Sequence, residues 1–161
     1  MLLKILMKVG EALYFILPAY VANATPVVLG GGMPLDFGKK FVNGKPILGS
    51  RKTIRGFVLG VLIGTLIGFL QGRIYVGFMQ SLGAMLGDLS GSFVKRRFGK
   101  KPGSPFPILD QMDFLFGALL LSSLICQVDL IFIFILLILT PIIHLATNWA
   151  AFKLGLKSEP W

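Results

Sequence analysis

IRGFVLGVLIGTLIGFLQGRIYVGFMQSLGAMLGDLSGSFVKRR, residues 54–97, reads as two apolar helices joined by three residues. The first run, Ile54–Leu70, holds one charge, Arg55. The second, Ile74–Val94, holds one, Asp88, and then meets Lys95, Arg96 and Arg97. A hydrocarbon core needs about 20 helical residues, so each run has roughly the length of a membrane span. Gly56, Gly60, Gly64, Gly68 and Gly72 recur every four residues, as do Gly83, Gly87 and Gly91. That spacing aligns them on one helix face, where backbones can approach closely. A packing seam within one chain is favoured over the alternative, a homodimer interface.

Three further apolar runs flank this pair. Ile5–Leu29 carries Glu11, Pro18, Asn23 and Pro26; Phe114–Cys126 follows Asp110 and Asp113; Leu130–Phe152 is the most apolar. Hydrophobic residues make up 55% of the 161 and charged residues 14%. Soluble domains carry roughly 25% charge. This excludes an ordinary soluble domain, a disordered tail and a disulfide scaffold, for which the one cysteine, Cys126, offers no partner. The expected fold is all-α: a polytopic membrane bundle of about five helices forming a single domain over residues 1–161. Lys4 and Lys8 precede an apolar run, but no small-residue cleavage site follows, so no signal peptide is expected.

The net charge is +9. A nucleic-acid partner is not expected, because the bases lie between apolar runs instead of on a polar face. Lys39, Lys40, Lys45, Arg51 and Lys52 fall in a loop over about 30–54, with Arg55 at its end. Lys95, Arg96, Arg97, Lys100 and Lys101 fall in another over about 95–112, and Lys153 and Lys157 in the tail. Only Lys4, Lys8 and Arg73 fall on the other side. Positive loops stay inside, so these loops and the C-terminus are expected in the cytoplasm and the N-terminus outside.

Ionisable residues at membrane depth mark candidate sites. Asp88, Ser92, Lys95 and Arg96 lie at offsets of 4, 7 and 8 and share one stripe. Asp110 and Asp113 share a face at the start of the fourth helix, on the same membrane side. Alone, each has a structural reading, an interhelical ion pair or a solvated cap. Together, three carboxylates beside basic residues suit a hard cation such as Mg²⁺ and the phosphates it carries. Lys95, Arg96 and Arg97 can clamp phosphates, and Lys52, Thr53 and Arg55 can hold one at the start of the second helix. Asn23 and Gln111 can line the cavity. His144 and Asn148 read as a helix–helix hydrogen-bonding pair. No GxxxxGK[ST] loop, zinc spacing or nucleophile elbow is present.

GDLSGSFVKRR (87–97) with LDQMDF (109–114) resembles the CDP-archaeol synthase family. PAYVAN (18–23), GGGMPLDFG (30–38), ILGSRKTIRG (47–56) and GLKSEPW (155–161) extend the likeness along the chain. The resemblance implies a membrane enzyme that uses CTP, Mg²⁺ and an unsaturated isoprenoid ether-lipid phosphate. It implies metal and triphosphate roles for Asp88, Asp110 and Asp113, and phosphate roles for Ser92, Lys95, Arg96, Lys52 and Arg55. It is similar to the broader CDP-diacylglycerol synthases, but Gln111 stands where those have Arg, and the second Asp follows at three residues, not four. A synthase acting on ester lipids and a non-enzymatic channel or carrier are the alternatives.

Overall fold

The computed structural model describes residues 1–160; Trp161, the last residue of the GLKSEPW block, lies outside the described residues. Five helices follow in order: α1 Leu2–Leu29, α2 Ile54–Leu70, α3 Ile74–Arg97, α4 Leu109–Ser122 and α5 Leu130–Lys153. No strand occurs among the described residues, only isolated bridges in the α1–α2 loop, Pro34 with Thr53 and Lys40 with Pro46. Both α1 and α5 are long and apolar enough to cross a membrane, and α2 is an apolar helix of 17 residues. α3 is as long as α5 but carries the polar stripe, and α4 has only 14 residues.

α1 runs unbroken through Pro18 and Pro26, where its sequence suggests interruption. A proline inside a helix leaves the carbonyl four residues earlier without its N–H partner. For Pro18 that carbonyl is Tyr14 O, and Gln71 Nε2 from the α2–α3 turn donates to it at 2.6 Å. Past Pro26, Gly30 N donates to Pro26 O at 3.0 Å and the helix ends.

α2 lies between α1 and α3, and its glycines make this possible. Gly56, Gly60, Gly64 and Gly68 are all buried. A β-carbon on Gly60 would meet Ala22 O of α1 at 2.9 Å and Met85 Sδ of α3 at 2.7 Å. One on Gly64 would press on Pro18 O and on Ser81 Oγ, and one on Gly68 on the Gly77 backbone. The stripe is thus a seam within the chain. Gly72 departs from the expected register: it sits past the end of α2 at φ +71°, making the turn into α3. The second stripe joins α3 to α4, with Gly83 against Gly117 and Gly87 and Gly91 against Asp113.

α4 starts five residues earlier than its apolar run, so Asp110 and Asp113 lie in its first two turns. Negative charge there opposes the positive end of the helix dipole. Lys95, Arg96 and Arg97, expected in a loop, form the last turn of α3, where cations are favoured for the converse reason. The loop between is therefore 98–108, shorter than the sequence suggests. α5 is the least embedded helix: only Leu136 and Thr140 are buried, and Tyr20 Oη bonds Thr140 Oγ1 at 2.7 Å.

The seam makes a sharp prediction. Gly68→Ala forces apart two touching backbones, and overpacking costs about 1–3 kcal/mol. Gly10→Ala fills open space on α1 and removes the helix penalty of glycine, about 1 kcal/mol. Thermal unfolding in detergent should show a lower Tm for the first and an equal or higher Tm for the second.

Candidate active site

The α1–α2 loop, the 98–108 loop and the C-terminal tail meet at one end of the bundle, over a cavity of about 520 Å³. Each is fastened there. Lys45 Nζ donates to Arg97 O at 3.3 Å, and Arg51 reaches Glu159 at 3.3 Å and Ser158 at 3.5 Å. At Gly103, φ is +87° and a side chain would run into the Arg51 guanidinium. Arg51 thereby sits where all three segments converge.

The α1–α2 loop keeps its shape through Asp36, which is 7% exposed. Its carboxylate accepts from Gly38 N at 3.0 Å, Leu48 N at 2.8 Å and Gly49 N at 3.0 Å. Burial pushes its pKa up, but these amides outweigh burial and hold it below the ordinary carboxylate value. The loop ends at Thr53, whose hydroxyl caps α2 by accepting from Gly56 N at 3.1 Å. Lys52, one residue before this cap, extends to α3, where its Nζ lies 2.6 Å from both oxygens of Asp88.

The α3 stripe lines the cavity as Asp88, Ser92, Lys95 and Arg96. Lys95 Nζ donates to Asp110 Oδ1 at 2.6 Å, and Asp110 Oδ2 accepts from Phe106 N at 2.9 Å. Arg96 is 3% exposed; it donates to Lys100 O, while its Nε is buried without a protein partner. Asn23 lines the cavity from α1, and His144 and Asn148 from α5. The charged lining is Arg51, Lys52, Lys95, Arg96 and Lys157 against Asp88 and Asp110, an excess of three positive charges. Such a lining attracts a polyanion.

Four residues expected at the site are placed elsewhere. Arg97 is 100° around α3 from Arg96, with its guanidinium carbon 4.5 Å from the Phe41 ring centroid and 4.7 Å from that of Phe93, bonded to Asn43 Oδ1 at 3.2 Å. Arg55 is exposed, on the face of α2 away from its buried glycines. Gln111 is similarly rotated from Asp110 and does not line the cavity. Asp113 lies behind the lining: its carboxylate packs on Gly91 and accepts from Phe114 N at 2.6 Å, within electrostatic range of Asp88 and Asp110.

Among the described residues no group of three His, Cys, Asp or Glu side chains is disposed to hold a metal ion. Only two carboxylates, Asp88 and Asp110, line the cavity, and Lys52 and Lys95 hold them. By donor type the oxygens of Asp88 and Asp110 fit a hard divalent cation, and they already face cationic groups.

A family model described as CarS-like, CDP-archaeol synthase, matches residues 2–76 and 72–161. The chain belongs to the CDP-archaeol synthase family. A relative from Pyrococcus furiosus, named CDP-archaeol synthase, is 46% identical over 94% of this chain and 97% of its own. One of the same name from Methanopyrus kandleri is 46% identical, covering 96% and 95%. A solved structure of an intramembrane enzyme of archaeal membrane lipid biosynthesis superposes with a TM-score of 0.75 at 39% identity, covering 87% of this chain and 94% of that one. This family member is accordingly an enzyme and a membrane protein built as a bundle of five helices.

Sequence reasoning missed Asp36, Arg51 and Lys157. Asp36 has one local signal, the glycines at 38 and 49 whose positive φ lets the chain wrap it. Asp36→Asn should loosen the loop by about 1–3 kcal/mol through loss of charge-assisted bonds. Because the folded pKa is depressed, the wild-type contribution is full above the unfolded carboxylate value and is lost as pH falls through the folded one. The protection of the Leu48 and Gly49 amides against hydrogen exchange, relative to the intrinsic rate at each pH, should therefore fall at acid pH in the wild type, and at neutral pH already in Asp36→Asn.

Proposed function

We propose that this protein transfers CMP from CTP to an unsaturated archaeal ether-lipid phosphate, giving CDP-archaeol and pyrophosphate. It does so in the cytoplasmic membrane as a multi-pass protein whose polar cavity faces the cytoplasm. The observation that carries the reading is the cavity itself: an excess of cations, with two carboxylates, at one end of an apolar bundle. The family membership of the chain supports the same chemistry. Its orientation is supported by the gathering of both basic loops and the basic tail at the cavity end, as positive loops stay in the cytoplasm.

A phosphate oxygen of the lipid attacks the α-phosphorus of CTP, and the bond to the β-phosphate breaks as pyrophosphate leaves. A phosphate monoester is already largely ionised at pH 7, its second pKa lying near 6, so no general base is required. The work left to the chain is positioning and charge neutralisation. Lys95 and Arg96 approach the triphosphate from α3, and the buried Arg96 Nε offers a donor that phosphate oxygen would satisfy. Lys52 offers a third cation from the loop. Mg²⁺ held by Asp88 and Asp110, with Asp113 behind them, would neutralise the triphosphate and the leaving pyrophosphate.

Purified protein with CTP, Mg²⁺ and ether-lipid phosphate should yield a nucleotide-lipid. Asp110→Asn should lower turnover by about 10²–10³. Arg96→Gln should raise the KM for CTP. Full Mg²⁺-dependent transfer by Asp110→Asn would overturn the metal assignment, and absence of any nucleotide-lipid from the wild type would overturn the reaction. Competing ether and ester lipid phosphates in one assay tests the lipid class.

A further inference from the structure

The first basic loop does not lie wholly over the cavity. Its residues 39–47 form a hairpin that turns the other way. Ile47 N donates to Lys39 O at 3.1 Å, Phe41 N to Lys45 O at 2.8 Å and Gly44 N to Phe41 O at 2.8 Å. Gly44, at φ +73°, closes the tip. Arg97 holds the hairpin against the end of α3. Its guanidinium lies over the Phe41 and Phe93 rings and donates to Asn43 Oδ1 and Pro46 O. Phe41 meets Phe93 edge-on, with centroids 5.6 Å apart.

The face of α3 that receives the hairpin is the one turned to lipid. Leu86, Ser90, Phe93 and Arg97 follow at spacings of four, three and four, so they share one side of the helix. Leu86 is 43% exposed, and the exposed Ser90 returns its hydroxyl to Leu86 O at 2.8 Å. An outward stripe whose one hydroxyl is bonded internally is what hydrocarbon requires. Lys95, nine residues after Leu86, lies half a turn away, on the cavity side. The hairpin therefore sits on the outer rim of the bundle, level with the basic last turn of α3, where a span leaves the hydrocarbon. There it exposes Phe41 and Val42, the latter by 96%, beside the exposed Lys39 and Lys40. Lys45, by contrast, is fastened to Arg97 O. Apolar and basic side chains presented together at this depth match the two layers of a bilayer surface, the acyl boundary and the anionic phosphates above it.

We propose that the 39–47 hairpin is an interfacial anchor: Phe41 and Val42 enter the bilayer surface, and Lys39 and Lys40 bind the phosphates of anionic headgroups. The lipids concerned are those of the surrounding membrane, and the inference is independent of the CMP-transfer reading. Arg97 is then the residue that aims the hairpin at lipid. The same loop carries Arg51 and Lys52 into the cavity, so anchoring the hairpin fixes its outer end.

A spin label tests this in the full chain. Cys126, the one cysteine, is replaced by serine, and Val42→Cys carries a nitroxide at a position open enough to accept it. The chain is placed in nanodiscs of phosphatidylcholine, with or without phosphatidylglycerol. Collisions of the label with lipid-soluble oxygen, relative to a water-soluble nickel chelate, report its depth. The ratio should show a label below the aqueous phase, and should rise more than about twofold when the anionic lipid is added. Lys39→Gln with Lys40→Gln should abolish that rise while leaving the Tm in detergent unchanged. A label accessible to water in both bilayers, no rise with phosphatidylglycerol, or a rise that persists without the two lysines would each overturn the anchor. None of these outcomes bears on CMP transfer.

Discussion

The contact between Lys52 and both oxygens of Asp88 governs the arrangement of the polar end. A carboxylate on an apolar helix is costly unless paired. The partner here comes from a loop, not from another helix. Satisfying Asp88 therefore draws the α1–α2 loop inward against α3 and places Thr53 where it starts α2. It also leaves loop amides, α3 cations and the α5 end around one space. The same logic repeats at Lys95 and Asp110, which join α3 to the first turn of α4. Two interlocking ion pairs thus turn a cost of membrane burial into a preorganised, charged cavity.

Such pairing also fixes the geometry of the polar end. Each of these two carboxylates is held by an ammonium, so neither charge stands unpaired in a poorly polar surrounding. The glycine seams bring the backbones beneath them together. Gly87 and Gly91 let α4 lie so close to α3 that Asp113 is packed against the backbone behind the two pairs.

Most of the fold was legible in the sequence because hydrophobicity and length are local properties. All five apolar runs became helices, and the four-residue glycine spacing identified the faces that touch. The errors share a cause. Helix rotation separates neighbours by 100°, so a run such as Lys95-Arg96-Arg97 reads as one basic patch but splits between a cavity and an aromatic clamp formed by Phe41 and Phe93. Asp110 and Asp113 looked like residues before a span because charge ended the apolar count, whereas helical hydrogen bonding simply continued through them.

What stayed hidden was long-range. Arg51 meets Glu159 across 108 residues, and no periodicity reports a return of that kind. Lys157 reaches Asn148, one turn past His144, only because the tail bends at Gly155 with φ +71° and comes back over the bundle. Composition therefore reports the apolar bundle and the sign of its loops, while the path of the tail decides which of its cations reaches the cavity.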